Sequence, residues 1–408
     1  MTPTPIVIFS DHPASFSGLA RITRDLATRV DEHLKDDFRI ASLGYGAPGS
    51  SALKFPQYHW TQRDDFLPLE LPFIHKDFAQ EQDMILLTIG DIQRFLPLAD
   101  PTFCSDKRFG DWLKGMRDKG NWVQPKPPKL KLWGYFPIDA HGIGGKLGPQ
   151  LGHTLSCYDR ILVPSKWAAE IVHRTLPSLK VDVLPHGIDT EIFKPHPKES
   201  SRDQIGQLLS PCMVWPQQEL QIPEEALWAG IIATNQSRKD FGLGIEVVAE
   251  LAKSRPVFLW IHTDAIKREW SLLELLSDFG LLQSSMVTLG NLPDESMAVG
   301  YSALDFSFGI GRGEGFGYPI AESLACGVPC ICSSYGAQSD YVHPADQIDP
   351  FRLRIEGPLN LLRPIHHVGA WANGVKMFLR EPEEIRLPSE LDWKSLWLRF
   401  AEWFKDGL

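Results

Sequence analysis

Short apolar runs rich in β-branched residues alternate with stretches of helical period through the first half of the chain. Ser165 precedes one of the helical stretches as a plausible N-cap. Strands that alternate with helices are typical of parallel sheets covered by helices. The runs predict strands at 5–10, 38–44, 84–90, 131–137, 160–165 and 180–187, and helices at 18–34 and 165–176.

The same alternation restarts after a polar, proline-containing stretch at 194–225. The last residues predict a helix in which Trp393, Trp397 and Phe400 form a core-facing stripe. Further strands are predicted at 227–234, 257–263, 286–291, 304–310 and 329–334, with a helix at 240–254. The chain is therefore expected to be an α/β protein with a domain at 1–190, a linker at 191–225, a domain at 226–385 and a C-terminal helix at 386–408.

Composition agrees with a globular protein of two domains. The chain has 408 residues, 43% hydrophobic and 23% charged, with a net charge of −10 that argues against a surface built for nucleic acid. It has neither a long apolar run nor a basic leader, so no membrane span or signal peptide is expected. The six cysteines form no Cys-x-x-Cys pair, which favours a reduced, cytoplasmic protein.

One basic segment departs from the acidic average. Residues 106–131 contain eight Lys or Arg against three Asp, with Trp112 and Trp122 between them. Such a segment is often only a solvated insertion. It also suits a polyanionic acceptor, because cations bind phosphates while aromatic rings stack on bases. Both interpretations stay open at this stage.

A glycine-rich stretch at 311–317 carries the most specific chemistry in the chain. Alternate glycines allow the backbone to approach a ligand, and Pro319 suits the first turn of the helix that follows. The N-terminus of a helix favours phosphate. Glu314 and Glu322 are placed to accept hydrogen bonds from vicinal hydroxyl groups. The stretch therefore predicts a site for a ligand that carries both phosphate and hydroxyl groups.

Other candidates also follow predicted strands. Arg238 and Lys239 come after the strand at 227–234, where two cations suit a diphosphate. In the first domain, Gly18 lies in a turn before a helix. Asp139 and His141 follow the strand at 131–137, and either could be a base, a sugar partner or a structural residue. Asp91, which follows the strand predicted at 84–90, is a further candidate for that role.

Three segments, 184–195, 235–248 and 314–330, together resemble the retaining, nucleotide-sugar-dependent glycosyltransferases of the GT-B fold. Glycogen synthase and many bacterial mannosyl- and glucosyltransferases are members. The Glu314 to Glu322 spacing matches the E-x7-E motif of that group. The resemblance implies two Rossmann-like doubly wound domains that face a central cleft, with the C-terminal helix crossing back to the first domain.

The resemblance also implies roles for individual residues. Arg238 and Lys239 would hold the diphosphate, and Glu322 would bind the ribose. Glu314 would bind the donor sugar, and Arg238, Glu314, Asp139 and His141 are the catalytic candidates. The remaining donor contacts would be Gly18 at the phosphates, Gly315, Phe316 and Gly317 at the sugar through their backbone, and Leu289 to Leu292 at the nucleobase.

The implied reaction transfers a sugar from a UDP- or GDP-linked donor to an acceptor hydroxyl, with the anomeric configuration kept. The chain contains no Asp-x-Asp, so neither a metal nor another cofactor is expected. A carbohydrate or small molecule is the default acceptor. The alternatives are hydroxymethylated bases of viral DNA as acceptor, bound through 106–131, a nucleotide-sugar epimerase, or a binding protein without activity.

Overall fold

The computed structural model describes residues 2–15, 17–46, 53–60, 67–118, 129–216, 222–380 and 385–408. The chain forms two compact units. Unit 1 comprises Met1–Pro185 and Trp397–Leu408, and unit 2 comprises His186–Leu396. The chain therefore passes from unit 1 to unit 2 once and returns near its C-terminus.

Unit 1 is built on a parallel sheet of seven strands in the order β3-β2-β1-β4-β5-β6-β7. The first strand is buried along almost its whole length, as expected for a strand with helices on both faces. The strands are β1 (Thr4–Asp11), β2 (Phe38–Tyr45), β3 (Gln57–His59), β4 (Met84–Ile89), β5 (Leu130–Tyr135), β6 (Arg160–Val163) and β7 (Asp182–Val183), and the helices are α1 (Gly18–His33), α2 (Leu71–Asp77), α3 (Leu96–Ala99), α4 (Lys107–Arg117), α5 (Pro149–Ser156) and α6 (Lys166–Thr175).

Serine side chains begin two of these helices. The Ser17 Oγ accepts a hydrogen bond of 3.0 Å from the Ala20 N–H at the start of α1. The Ser165 Oγ accepts one of 3.0 Å from the Ala168 N–H at the start of α6, so the predicted N-cap is confirmed. Both helices therefore start where a polar residue follows an apolar strand.

Unit 2 contains a second sheet of seven strands, in the order β14-β13-β12-β9-β10-β11-β8. All of its pairs are parallel except β11 with β8. The strands are β8 (Met213–Trp215), β9 (Leu227–Ile232), β10 (Val257–Thr263), β11 (Ser285–Leu289), β12 (Phe306–Gly309), β13 (Cys330–Ser333) and β14 (Gln347–Ile348), with a separate hairpin of β15 (Arg352–Glu356) and β16 (Leu361–Ile365), and the helices are α7 (Lys198–Leu209), α8 (Phe241–Ala252), α9 (Leu272–Asp278), α10 (Asp294–Ser302), α11 (Tyr318–Ala325) and α12 (Val368–Arg380).

Part of the stretch predicted as a linker is regular structure within unit 2. Helix α7 buries Ser201, Ile205 and Leu209, which recur every four residues along one face. The Arg202 guanidinium lies 2.8 Å from the carboxylate of Asp305, just before β12. The polar composition of 191–225 concealed this narrow buried stripe.

The C-terminal helix α13 (Trp393–Lys405) returns the chain to unit 1, as the resemblance implied. Phe400 and Trp403 are buried in unit 1, and the Trp403 ring centroid lies 5.1 Å from that of Trp133. Trp397, the middle residue of the predicted stripe, is half-buried beside the His33 ring. Across the part of the chain that the structure describes, no helix has the length and apolar character needed to cross a membrane.

Candidate functional site

The glycine-rich loop lies between β12 and α11, at the carboxyl edge of the second sheet. Gly313 and Gly317 have φ angles of 123° and 93°, which side chains rarely adopt. Gly317 is the N-cap of α11, and Pro319 lies in the first turn of that helix. The loop therefore reverses direction sharply and places the start of α11 at the sheet edge, where ligands bind in such folds.

The segment that follows β9 lies against this loop. Lys239 and Gly311 form an isolated antiparallel bridge. The Arg312 N–H donates a hydrogen bond of 2.8 Å to the carbonyl oxygen of Arg238. Neighbouring strands β9 and β12 end at the same edge, and this brings together two patches that are far apart in the sequence.

Glu314 is the centre of a buried ion cluster. Its carboxylate accepts a hydrogen bond from the Lys239 ammonium, and its Oε2 lies 3.7 Å from Nη1 of Arg238. The Arg238 guanidinium also donates a hydrogen bond of 3.2 Å to the carbonyl of Gly313. The exposed side-chain fractions are 9% for Glu314 and 11% for Lys239, against 35% for Arg238. Arg238 is therefore the more accessible cation of the pair.

These contacts set the charge of Glu314. Burial alone raises the pKa of this carboxyl group, but the nearby charges of Lys239 and Arg238 and the hydrogen bond from Lys239 outweigh it. The net result is a pKa below the ordinary glutamate value. Glu314 is therefore an anion at neutral pH and can accept hydrogen bonds from ligand hydroxyl groups.

Close packing around Glu314 requires glycine at two positions. A Cβ atom at Gly311 would lie 1.9 Å from the Oε1 atom of Glu314. At Gly336, which has a φ of 131°, it would lie 3.0 Å from the Glu314 backbone nitrogen. The Ala337 N–H donates a hydrogen bond of 2.9 Å to the Glu314 carbonyl. The loop after β13 thus supports the glycine-rich loop from its other side.

The backbone of the loop offers hydrogen-bond donors. Within the described residues, no hydrogen bond uses the N–H groups of Gly315, Phe316 or Gly317. Successive N–H groups of this kind form an anion-binding site together with a helix N-terminus. A small recess lies beside them, with Lys239, Glu314 and Gly317 in its wall.

Glu322 is held one turn into α11. It is 5% exposed, and its Oε2 accepts a hydrogen bond of 2.9 Å from the Tyr301 hydroxyl of α10. Burial, followed by the charge of Glu322, raises the pKa of Tyr301 well above its ordinary value, so this hydroxyl stays a donor. The contact fixes the orientation of the Glu322 carboxylate.

Leu292 lies in the hydrophobic core of unit 2. Its side chain is 4% exposed and packs in a cluster that includes Phe193 and Trp260. A nucleobase slot at 289–292 would therefore use the backbone around Gly290, whose φ is 86°, more than the Leu292 side chain.

The first-domain candidates all belong to unit 1. Gly18 is the first residue of α1, next to Ser17, whose hydroxyl donates a hydrogen bond of 2.5 Å to Asp11. Asp91 follows β4 and lies 3.6 Å from the Arg94 guanidinium, which is also 3.7 Å from Asp11. The two ion pairs make Asp91 part of a charged group at the carboxyl edge of the first sheet.

Asp139 and His141 lie in the irregular segment that follows β5. Both are half-buried. The Nδ1 atom of His141 lies 2.8 Å from the carbonyl oxygen of Gly142, and its ring is 6.1 Å from that of Trp167. His141 is thus held locally within unit 1, and both residues follow the strand that the sequence predicted.

The basic segment 106–131 is described in part. Residues 107–117 form α4, in which Phe109 and Leu113 are buried. The Trp112 ring packs against those of Phe109 and His75 at 5.6 and 6.1 Å. Trp122 and the rest of 119–128 lie outside the described residues.

Two residues that were not predicted from the sequence, Asn235 and Tyr341, hold the segments that carry the site. Asn235 is fully buried and exchanges hydrogen bonds with the backbone of Trp270, at 2.9 Å in each direction. This anchors the segment that carries Arg238 and Lys239. Tyr341 binds the glycine-rich loop through its hydroxyl group. The only local signal for Tyr341 was its place after a strand end.

Metal ligands were not expected from the sequence. Among the residues that the structure describes, no group of three or more His, Cys, Asp and Glu side chains could hold a metal ion. Lys239 lines the recess and Arg238 lies beside Glu314 in its wall, and these two cations fit a phosphorylated ligand.

Comparison with known proteins gives the fold. No protein-family model matches the chain. A D-inositol 3-phosphate glycosyltransferase of Gordonia bronchialis is 23% identical over 215 residues, which are 50% of this chain and 41% of that protein. The match therefore spans less than half of the length of that relative.

Solved structures match over nearly the whole chain. Sucrose-phosphate synthase from Thermosynechococcus elongatus has a TM-score of 0.66 at 15% identity, over 99% of this chain and 98% of that one. HepE of Anabaena, solved in complex with UDP and glucose, has a TM-score of 0.64 at 14% identity, over 99% and 100% of the two chains. The chain has the GT-B fold of these glycosyltransferases, which confirms the predicted fold class.

Proposed function

We propose that the protein is a retaining glycosyltransferase that moves a sugar from a nucleotide-diphosphate sugar to an acceptor hydroxyl group. The observation that carries this proposal is the ion cluster of Arg238, Lys239 and Glu314 beside a glycine-rich loop with unused N–H groups. Cations and N–H groups suit a diphosphate, and a carboxylate suits the hydroxyl groups of a sugar. One site thus has partners for both halves of such a donor.

Each half of the donor has its own residues in this proposal. Arg238 and Lys239 bind the diphosphate, and Glu322 accepts hydrogen bonds from the ribose. Glu314 binds the sugar, and the loop backbone contacts both the sugar and the phosphate next to it. Gly18 is a further proposed contact of the phosphates. The complex of HepE with UDP and glucose supports a UDP-linked donor, and a GDP-linked donor fits the same groups.

The chemistry requires positioning and charge stabilisation more than a protein nucleophile. As the glycosidic bond breaks, the electron pair goes to the leaving diphosphate, which the cations stabilise. The acceptor hydroxyl attacks from the same face, and its proton passes to the leaving phosphate. The anomeric configuration is therefore kept, and no metal is required. The cations and the α11 N-terminus supply the positive charge that a metal would otherwise provide.

The acceptor is a carbohydrate or a small polyhydroxyl molecule. Two similar proteins support this: a sucrose-phosphate synthase is named for a small sugar phosphate that it makes, and a D-inositol 3-phosphate glycosyltransferase is named for a small polyol phosphate. Asp139 and His141 are the unit 1 residues proposed to contact the reacting hydroxyl. The cysteines that the structure describes are all free thiols, and this supports a cytoplasmic enzyme.

The test is turnover of a panel of UDP- and GDP-sugars with simple sugars and polyols as acceptors, with and without EDTA. We expect nucleotide release from one donor class, unchanged by EDTA, and a product whose anomeric proton coupling equals that of the donor. Arg238→Ala is expected to lower turnover at least about a hundredfold. An inverted product, or loss of activity in EDTA, would refute the corresponding part of the proposal.

A further inference from the structure

The hydroxyl group of Tyr341 is bound to the carbonyl groups of the glycine-rich loop. It lies 2.7 Å from the carbonyl oxygen of Phe316 and 3.1 Å from that of Gly317. The Tyr341 and Phe316 rings pack with their centroids 5.3 Å apart. Since the hydroxyl has one proton, it is shared between the two carbonyl oxygens.

The hydrogen bond to the Phe316 carbonyl fixes the orientation of the peptide plane between Phe316 and Gly317. In a trans peptide the C=O of one residue and the N–H of the next point in opposite directions. Holding the Phe316 carbonyl toward Tyr341 therefore turns the Gly317 N–H away from it. The Gly317 carbonyl also accepts hydrogen bonds from the Ile320 and Ala321 N–H groups, at 3.0 and 3.2 Å, so α11 itself holds that carbonyl and Tyr341 acts mainly on the Phe316 peptide.

The loop needs this support because its own conformation is permissive. Gly317 is the left-handed N-cap of α11, with a φ of 93°, and it has no side chain that could cap the helix. A Cβ atom at this position would lie 3.2 Å from the Tyr341 hydroxyl oxygen. Tyr341 thus occupies the space beside Gly317 and donates its hydroxyl proton to the loop carbonyls.

Two aromatic rings, those of His186 and Tyr318, pack on the Phe316 side chain of the same loop. The His186 ring lies 4.8 Å from that of Phe316 and is stacked on Tyr318 at 5.2 Å. Burial lowers the pKa of His186 to about 3, so its ring packs as a neutral group at physiological pH. These rings fix the Phe316 side chain, and the Tyr341 hydroxyl fixes the adjacent backbone.

We propose that Tyr341 is a positioning residue, which orients the Gly317 N–H group toward the second phosphate of the donor nucleotide. The inference rests on the proposed function, because it requires a nucleoside diphosphate at this site. Tyr341 itself does not touch the ligand. Its loss therefore weakens recognition of the phosphate next to the sugar and leaves recognition of the nucleoside monophosphate portion intact.

The test compares Tyr341→Phe with the wild-type protein by calorimetric titration of UDP and UMP, and of GDP and GMP. Phenylalanine keeps the ring contact with Phe316 and removes only the hydroxyl. The matched control is Tyr335→Phe, which loses a hydrogen bond of 2.6 Å to the Leu362 carbonyl of the hairpin in the same unit. Melting temperatures of both variants report any general loss of stability.

For Tyr341→Phe we expect the Kd of the bound diphosphate to rise about tenfold, and the Kd of the matching monophosphate to change less than about twofold. The control variant, Tyr335→Phe, is expected to leave the Kd of the diphosphate and the Kd of the monophosphate unchanged. Equal weakening of both nucleotides, or no change in either, would overturn the role of Tyr341 while the proposed function stands. If the wild-type protein binds neither UDP nor GDP, both the proposed function and this inference fail.

Discussion

Replacing Glu314 by Gln tests whether the ion cluster holds the site together. The substitution keeps the shape of the side chain and removes its charge. The Lys239 side chain is only 11% exposed, and its ammonium group would remain without the carboxylate that now accepts its hydrogen bond. Removing one partner of a buried pair costs about 3–5 kcal/mol, because the other charge remains desolvated.

This loss of free energy corresponds to a measurable fall in the melting temperature. A loss of about 1 kcal/mol lowers the Tm of a domain of this size by about 2–4 °C, so Glu314→Gln is expected to lower it by roughly 6–20 °C. Arg238 contributes less than Lys239 to this cost, because its side chain is 35% exposed and water screens its charge. The assay is thermal unfolding at neutral pH.

A double-mutant cycle isolates the pair. If Lys239→Met is added to Glu314→Gln, no buried charge is left unpaired, and the double variant should be more stable than the sum of the single effects predicts. Glu250→Gln is the matched control, since Glu250 forms an exposed ion pair with Lys253 on α8 and no change in Tm is expected. If the losses of stability caused by Lys239→Met and Glu314→Gln simply add in the double variant, the two side chains do not form the buried pair described here.

The pH dependence gives the same test a second readout. Because the folded-state pKa of Glu314 is below its ordinary value of 4.5, the carboxylate stabilises the fold above that pH. Its contribution is lost as pH falls through the lowered pKa. The difference between wild-type protein and Glu314→Gln should therefore be full at neutral pH and shrink below pH 4.5.

Three further predictions concern other parts of the molecule. Gly311→Ala places a methyl group 1.9 Å from the Glu314 carboxylate, so nucleotide affinity should fall at least about tenfold in calorimetry. Burial lowers the pKa of His262 to about 4, so the unfolded chain binds an extra proton as pH falls below about 6.5, and the free energy of unfolding drops. In urea unfolding, His262→Gln should therefore reduce the loss of stability between about pH 7 and 5 by about 2 kcal/mol. Trp403→Ala should cost about 3–5 kcal/mol because the ring is buried in unit 1, whereas Leu398→Ala, at a position 66% exposed on the same helix, should cost less than about 0.5 kcal/mol in the same assay.

The local parts of the site could be predicted from the sequence. Glycines at 311–317, Pro319 and two carboxylates are close in the chain, and their chemistry depends mainly on local backbone geometry. It could also be predicted that Arg238 and Glu314 lie close together, because residues that follow parallel strands meet at one edge of the sheet. That prediction did not include their ion pairing in the absence of a ligand.

Contacts between distant segments could not be predicted in the same way. Tyr341 and Asn235 have ordinary sequence surroundings, and their roles come from the loops that tertiary packing places beside them. The helix α7 was missed for a different reason. Its buried stripe has only Ser201, Ile205 and Leu209 within a polar stretch, too weak a pattern to outweigh the composition.

A crystal structure of the protein with UDP or GDP, and then with the sugar donor that it turns over, tests the central claim most directly. The account predicts the ribose hydroxyls within hydrogen-bond distance of Glu322, the diphosphate against Arg238 and the N–H groups of 315–317, and the sugar at Glu314. A nucleotide bound elsewhere on unit 2, or with its phosphates away from the glycine-rich loop, would contradict it.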